Sequence, residues 1–296
     1  MQADLIPPDV RARLRGLRLA TRAPAGGDGL GQHSSRSRGA GLEFAQYRAY
    51  EPGDEPRRID WKLYARSDRY FVREAERDSP LAVWIVLDAT ASMAQRDRAG
   101  AARDKLDAAR VLAACTIELA LRQGDRFGLV LLGDTLQAIP AGSGARQRDR
   151  CLLALAQART GGAWPTDAAL RPLFERIAPA SLVVFLSDFF DDAAVDLAVR
   201  LALARREIAS VQLIASDEHD FPFRGSHRFV EQETGAERRV DAAGVRADFL
   251  ARFTDARRNL AQRFAAAGIR HAGHVLDEAV DAPLRVLFGS ASGAGR

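Results

Sequence analysis

The sequence predicts an α/β fold in which a doubly wound, mainly parallel sheet carries helices on both faces. Continuous apolar runs such as residues 81–87 (LAVWIVL) and 182–186 (LVVFL) are typical of strands that are buried on both sides. Segments with helical spacing, each ten or more residues long, separate these runs. A buried strand followed by such a helix is the unit of a βαβ crossover, and a series of these units builds a parallel sheet between two layers of helices.

The first 78 residues lack this alternation. A short arginine-rich helix is predicted within residues 4–20, after Pro7 and Pro8, and the Gly/Ser-rich residues 23–41 are predicted to be loop-like. Residues 42–78 are dense in aromatic and charged side chains, which is not typical of a linker. The predicted organisation is therefore a basic, partly flexible segment 1–38, a segment 39–78 that packs on the domain after it, and an α/β domain 79–290.

The regular part of the chain begins at Leu81. The strands predicted from apolar runs are 81–87, 127–132, 182–186, 210–215 and 271–276. The helices predicted from apolar spacing are 98–122, 145–159, 167–178, 195–207 and 246–267. Gly124 and Gly268 are expected to end two of these helices, because glycine favours the left-handed conformation that follows a helix. Residues 229–240 are predicted to form a hairpin that turns at Thr234 and Gly235.

Ligands of such sheets bind at the carboxyl ends of the strands, so the residues directly after the apolar runs are the candidate site. Three loops contribute two carboxylates and three hydroxyls there, namely Asp88, Thr90, Ser92, Thr166 and Asp188. An all-oxygen donor set of this kind suits Mg²⁺ or Mn²⁺. The alternative is structural, because the same residue types cap helices. A second alternative is a Mg²⁺-dependent hydrolase at these residues.

The net charge of +4 and the pI near 9.5 arise from one part of the chain. Only Lys62 and Lys105 are lysines, and the other basic residues are arginines. Residues 1–48 contain eight arginines and four acids, whereas basic and acidic residues are equal in number over the rest of the chain. The pI is therefore poor evidence for a nucleic-acid-binding domain. It leaves a narrower alternative, in which the basic N-terminal segment binds an anionic membrane or nucleic acid.

Other function classes lack their sequence signals. No stretch reaches the roughly 18 apolar residues of a membrane-spanning helix, and arginines interrupt the N-terminus where a signal peptide would need an apolar core. Cys115 and Cys151 have neither a CxxC motif nor a histidine near them, so both are predicted to be buried apolar residues. The predicted location is the cytoplasm, with the inner-membrane surface as a peripheral alternative.

The candidate metal residues resemble the metal-ion-dependent adhesion site of von Willebrand factor A domains. That pattern is Asp-x-Ser-x-Ser after the first strand, a threonine in a second loop and an aspartate after a later strand. The resemblance implies that Thr90, Ser92 and Thr166 are direct ligands, and that Asp88 and Asp188 act through water. Thr90 is a departure, since the family usually has serine there. An ion with one open position would bind a carboxylate from an acidic partner protein.

Residues 39–66 resemble the characteristic segment of the bacterial DUF58 family. The matching residues include Glu43, Phe44, Arg48, Tyr50, Gly53, Asp54, Arg57, Asp60, Trp61 and Arg66. Their density of rings and opposite charges indicates either a structural clasp or a docking surface. The resemblance implies a von Willebrand factor A-like domain without catalytic activity, paired with a MoxR-type AAA+ ATPase in assembly or maturation of client proteins. No specific nucleic-acid partner is expected.

Overall fold

A computed structural model describes residues 5–21, 44–50, 59–75, 80–96, 103–230 and 237–289. The chain forms two compact units, one of residues 23–80 and one of residues 1–22 together with residues 81–296. The first 22 residues thus belong to the unit that contains the sheet. The sequence placed them in a separate segment 1–38, because arginines alternate with the apolar residues there.

The N-terminal residues of the larger unit are part of its core. Helix α1 (Pro8–Arg13) begins with proline, whose fixed φ suits the first position of a helix. The apolar side chains of this segment are buried, namely Ile6, Val10, Leu14, Leu17 and Leu19. Gln123 accepts a hydrogen bond from the Leu19 amide at 2.7 Å and donates one to the Leu19 carbonyl at 2.9 Å. The predicted short helix is therefore present, and side-chain packing and hydrogen bonds hold it in place.

The smaller unit contains two strands and a helix, which are β1 (Phe44–Ala49), α2 (Trp61–Ser67) and β2 (Phe71–Ala75). The strands pair in antiparallel orientation. Helix α2 begins at Asp60, whose carboxylate accepts hydrogen bonds from the amides of Lys62 and Leu63, each at 3.0 Å. An aspartate at this position satisfies amides that have no partner within the helix.

The larger unit is built on a six-stranded sheet. Its strands are β3 (Ala82–Asp88), β4 (Arg126–Leu132), β5 (Gln137–Gly142), β6 (Leu182–Ser187), β7 (Glu207–Ile214) and, after the hairpin of β8 (Ser226–Val230) and β9 (Glu237–Asp241), β10 (Arg270–Val275). The order across the sheet is β10-β7-β6-β3-β4-β5, and only β5 runs antiparallel to its neighbour. This is the doubly wound order 3-2-1-4-5-6, so the predicted fold class is confirmed.

Successive side chains of a strand point to opposite sides of the sheet, so both faces of this sheet carry apolar side chains. Helices cover both of these faces. The helices are α3 (Lys105–Gln123), α4 (Gly144–Gln157), α5 (Asp167–Arg176), α6 (Asp192–Leu203), α7 (Ser216–Asp220), α8 (Ala242–Ala266) and α9 (Ala282–Phe288). Val83, Ile85 and Leu87 pack with α1, α3, α4 and α9, whereas Trp84 and Val86 pack with α5, α6 and α8. The core therefore consists of two layers, one on each side of the sheet.

Most predicted elements lie within a few residues of their expected places. Gly124 and Gly268 follow α3 and α8 with φ values of +76° and +71°, and both cysteines are buried, as predicted. Strand β7 begins at Glu207, where the sequence predicted the end of a helix. Strand β5 and the short helices α7 and α9 were not predicted. The tip of the predicted hairpin, at Thr234 and Gly235, lies outside the described residues.

Two histidines on β10, the partly buried His271 and the buried His274, make stability depend on pH. Burial, with a smaller contribution from Arg257, lowers the pKa of His271 to about 4, and burial also lowers the pKa of His274. The unfolded chain takes up a proton near pH 6.5, which folded His271 does not do until about pH 4. The free energy of unfolding is therefore expected to fall, by about 1–3 kcal/mol for His271, as the pH drops from 6.5 to 4.

Urea denaturation at pH 4.5 and 7.0 measures this effect. We expect His271→Gln to lose less stability than the natural protein over that interval, since glutamine does not titrate. His219→Gln is the matched control, because His219 lies on α7 with an exposed side chain. An equal loss for the natural protein and His271→Gln would contradict the prediction.

Candidate functional site

The candidate site lies where the strand order of the sheet reverses. Strands β3 and β6 are neighbours in the middle of the sheet, and the connections that leave them turn to opposite sides. Asp88 is the last residue of β3, and Ser187 is the last residue of β6, followed by Asp188. The crevice at the carboxyl ends of two such strands is the usual ligand site of a doubly wound sheet.

Hydrogen bonds hold the Asp88 carboxylate in one orientation. Its Oδ1 accepts hydrogen bonds from the Thr90 hydroxyl at 2.7 Å and the Thr90 amide at 2.9 Å, and its Oδ2 accepts one from the Ser187 hydroxyl at 2.6 Å. The residue is only 2% exposed. Burial and repulsion from Asp188 raise the pKa of Asp88 to about 6, although the bonds from Ser187 and Thr90 favour the ionised form.

The two hydroxyls of the first loop lie within hydrogen-bond distance of each other, close to the spacing of neighbouring ligands in an octahedral site. Thr90 Oγ1 lies 3.3 Å from Ser92 Oγ. In an octahedral Mg²⁺ site with oxygens at about 2.1 Å, neighbouring ligand oxygens lie about 3.0 Å apart. Among the described residues, no three side chains of the His, Cys, Asp and Glu types come together to hold a metal ion. Any ion here would therefore depend on hydroxyl oxygens, as the adhesion-site pattern implies.

The capping alternative does not account for the two threonines. Thr90 precedes a 3-10 turn (Ala91–Ala94) and Thr166 precedes α5, yet neither side chain makes a capping hydrogen bond. Thr166 is exposed. Backbone hydrogen bonds join the two loops, from the Ala91 amide to the Gly162 carbonyl at 3.1 Å and from the Gly161 amide to the Ala89 carbonyl at 2.9 Å. The Thr166 hydroxyl is thus free of a capping role.

Asp188 does not cap a helix either, because Asp191 caps α6. It forms an ion pair instead. Its Oδ2 lies 3.1 Å from Nζ of Lys105, which also lies 2.8 Å from Oε1 of Glu218. Lys105 is completely buried, and its ammonium lies 4.3 Å from the centre of the Phe190 ring. Neither Lys105 nor Glu218 was predicted from the sequence to be a site residue.

Glu218 belongs to the acidic segment 217–220, which directly follows β7. The segment forms the short helix α7, in which Asp217 is buried and Glu218 faces Lys105 and accepts a hydrogen bond from the Ala215 amide at 2.9 Å. Burial raises the pKa of Glu218, and the ammonium of Lys105 opposes this effect. The contact with Lys105 on α3 leaves the Glu218 side chain only 17% exposed.

A cavity of about 580 Å³ lies beside this helix. Its wall is mainly apolar and includes Phe221, Phe223, Phe229 and Phe249, whose contacting rings lie 4.7–5.9 Å apart. Glu218 and Gln95 also line it. Glu218, one of the two carboxylate partners of Lys105, therefore borders this cavity.

The second predicted residue set lies in the smaller unit, and only part of it is described. Glu43, Gly53, Asp54 and Arg57 lie outside the described residues, and only the backbone of Phe44 and Arg48 is described. Tyr50, Trp61, Tyr64 and Tyr70 form an aromatic cluster with ring centres 4.5–6.4 Å apart, Asp60 caps α2, and Arg66 is exposed. The Trp61 side chain is 59% exposed. A structural clasp and a docking surface both remain as interpretations.

Comparison with protein families decides the assignment. Residues 46–259 match the family model described as "Protein of unknown function DUF58". This chain belongs to the DUF58 family. The sequence resemblance is thereby confirmed for most of the chain, and the match includes five of the six strands of the sheet and the candidate site residues. The DUF58 protein is also similar to uncharacterized proteins of Mycobacterium bovis and Mycobacterium tuberculosis, each 29% identical over 266 residues, which cover 87% of this chain and 82% of each relative.

Solved structures also resemble the DUF58 protein. The alignment with BatB from Bacteroides thetaiotaomicron covers 69% of this chain and 93% of the BatB chain, with 12% identity and a TM-score of 0.42. The alignment with an aerotolerance-related membrane protein from Bacteroides fragilis covers 70% of this chain and 96% of that protein's chain, with 14% identity and a TM-score of 0.44. Because these scores are low, the fold assignment depends on the strand order described above. Within the described part of the chain, no helix is both long and apolar enough to cross a bilayer.

Proposed function

We propose that this DUF58 protein is a non-catalytic protein-interaction module that binds an acidic partner protein through a divalent cation. The ion would be Mg²⁺ or Mn²⁺, held by Asp88, Thr90, Ser92, Thr166 and Asp188. The observation that carries this proposal is the Thr90–Ser92 hydroxyl pair beside the fixed Asp88 carboxylate, at the point where the strand order reverses. The DUF58 resemblance adds a MoxR-type AAA+ ATPase as the partner, in assembly or maturation of client proteins.

The roles of the residues follow from their surroundings. The hydroxyls of Ser92 and Thr166 are accessible enough to contact an ion directly, whereas Asp88 and Asp188 are buried and already hydrogen-bonded, which favours contact through water. Ser187 and Thr90 fix the orientation of Asp88. A bound ion would supply positive charge and one open coordination position for a carboxylate of the partner.

The geometry of Asp88 does not suit an aspartyl nucleophile, which is one way in which a hydrolase could use this residue. An aspartyl nucleophile needs an oxygen that can reach a substrate. Both oxygens of Asp88 accept hydrogen bonds from the protein, and the side chain is buried. A carboxylate held in this way suits an electrostatic role.

Ser92→Ala tests the metal. We expect it to weaken Mn²⁺ binding about tenfold or more, because it removes one oxygen of the donor set without changing the buried carboxylates. Titration calorimetry and the electron paramagnetic resonance of Mn²⁺ measure the affinity. Ser143→Ala is the matched control, since Ser143 is exposed and follows β5 at the opposite edge of the sheet.

The same variants test the partner. A purified MoxR-type ATPase should be retained by the immobilised natural protein and by Ser143→Ala, and much less by Ser92→Ala. Because the ATPase itself needs Mg²⁺, the Mg²⁺ concentration stays constant and only the variant changes. Equal retention by all three proteins would refute metal-mediated binding. Turnover of phosphoesters that Ser92→Ala abolishes would favour the hydrolase instead.

A further inference from the structure

The buried ammonium of Lys105 contacts a carboxylate that the proposed function assigns to a divalent cation. Its Nζ lies 3.1 Å from Oδ2 of Asp188, so this carboxylate already has a positive partner. Oδ1 of Asp188 accepts a long hydrogen bond, of 3.3 Å, from the Phe190 amide. Lys105 therefore pairs with one oxygen of Asp188, and the second oxygen makes a weaker contact.

Several contacts hold the ammonium in this position. Glu218 accepts a hydrogen bond from it at 2.8 Å, and the Ala215 amide in turn binds the second oxygen of Glu218 at 2.9 Å. The Phe190 ring lies over the ammonium at 4.3 Å, a distance at which a cation is attracted to the face of a ring. Lys105 cannot move away from Asp188 without leaving Glu218 and this ring.

We propose that Lys105 is a positioning residue that acts as a built-in counter-ion and weakens divalent-cation binding at the site. The inference rests on the proposed function, because it concerns the same metal site. The ammonium neutralises part of the charge of Asp188 and repels a divalent ion nearby. It also holds the site together without metal, because the two buried carboxylates keep a positive partner.

The charges of the cluster agree with this role. The ammonium contacts two carboxylates, of Asp188 and Glu218, and the nearby Asp88 carboxylate repels that of Asp188. In the ionised state this leaves two negative charges, which one divalent ion would balance. Without Lys105 the cluster would have three negative charges and would attract such an ion more strongly.

The residue type is also informative. Lys105 is one of only two lysines in a chain with 43 basic residues. A lysine ammonium is a compact point charge, whereas an arginine guanidinium is a broad planar fork. A compact ammonium suits a completely buried position between two carboxylates and a ring.

Two variants with opposite expected effects test the proposal by Mn²⁺ titration. Lys105→Met removes the repelling charge and is expected to tighten Mn²⁺ binding on the order of ten- to a hundredfold. Glu218→Gln keeps an oxygen for Lys105 but removes a negative charge, and it is expected to weaken binding about tenfold. Lys62→Met is the matched control, because Lys62 is the other lysine, is exposed and belongs to the smaller unit.

The outcomes separate this inference from the proposed function. Weaker or unchanged Mn²⁺ binding in Lys105→Met would overturn the counter-ion role, and weakening in both variants would show that Lys105 only maintains the shape of the site. If Lys105→Met binds Mn²⁺ and the natural protein does not, the counter-ion role stands and the proposed metal dependence fails. If neither protein binds Mn²⁺, both fail. Should Lys105→Met not fold, a Glu218→Gln protein with unchanged affinity would still contradict the proposal.

Discussion

Lys105→Met is expected to lower the free energy of unfolding by about 3–5 kcal/mol in the absence of divalent cations, which is the usual effect of removing one partner from a buried ion pair. Methionine fills nearly the same space as lysine but leaves Asp188 and Glu218 without a positive partner, and both side chains have little exposure to water. A domain of this size has a typical stability of about 5–15 kcal/mol, so the variant remains folded if the natural protein lies above the lower end of that range. Its melting temperature should fall by roughly 6–20 °C.

Three comparisons isolate the cause of this loss. Lys62→Met, on the exposed lysine, is expected to change stability by less than about 0.5 kcal/mol. Adding Glu218→Gln to Lys105→Met should reduce the loss, because one of the two carboxylates that lack a partner is then neutral. Added Mn²⁺ should restore more stability to Lys105→Met than to the natural protein. A loss below about 1 kcal/mol would mean that the buried pair contributes little beyond its own desolvation.

The sheet was predictable because its strands are buried on both faces. Residues 81–87 and 182–186 are apolar on both sides of the strand. Such a run can be recognised from the sequence without knowing which residues contact it in the fold. Strand β5 escaped prediction for the opposite reason. It is the antiparallel edge strand, its sequence QAIPAG is half-exposed, and its proline interrupts any apolar pattern.

The candidate site was predictable only as far as it follows strand ends. Asp88 and Asp188 could be placed together because both come directly after buried parallel strands, whose carboxyl ends share one edge. Lys105 and Glu218 could not, because 113 residues separate them and the contact depends on how α3 and α7 approach the same strand end. The rarity of lysine in this chain was the available signal for Lys105, and the predicted helix 98–122 concealed it.

The N-terminal segment illustrates a different limit. Its arginines indicated a basic segment that acts on its own, yet Val10, Leu14 and Leu17 repeat every three or four residues and all face the core. Arg11, Arg15 and Arg18 occupy the exposed side. The net charge of the N-terminal segment reflects only its exposed arginines. It therefore could not predict that the apolar side of the segment packs on α3.

Leu14→Ala is expected to lower the free energy of unfolding by about 2–5 kcal/mol, although the residue lies in a segment whose composition suggested no structural role. The Leu14 side chain is completely buried and belongs to the core layer of α3, α4 and α9. The Arg122 guanidinium also donates a hydrogen bond to the Leu14 carbonyl at 2.7 Å, which fixes the backbone around the cavity that alanine would leave. Urea denaturation measures the loss, and Arg15→Ala, at the exposed neighbouring residue, should change stability by less than about 0.5 kcal/mol.

This prediction determines how the alternative of an anionic membrane or nucleic-acid ligand must be tested. Deleting residues 1–20 would remove five buried apolar side chains and the Arg13 partner of the buried Asp281, so lost binding would report unfolding as readily as a lost contact. Replacing Arg11, Arg15 and Arg18 with glutamine changes the charge of the exposed side and leaves the apolar side intact. Because each phosphate contact contributes a slope of about 0.9 in log affinity against log salt, a salt series on that variant separates an electrostatic ligand from a folding defect. Equal stability of Leu14→Ala and the natural protein would contradict the structural role of this segment. The deletion of residues 1–20 would then test ligand binding without a folding defect.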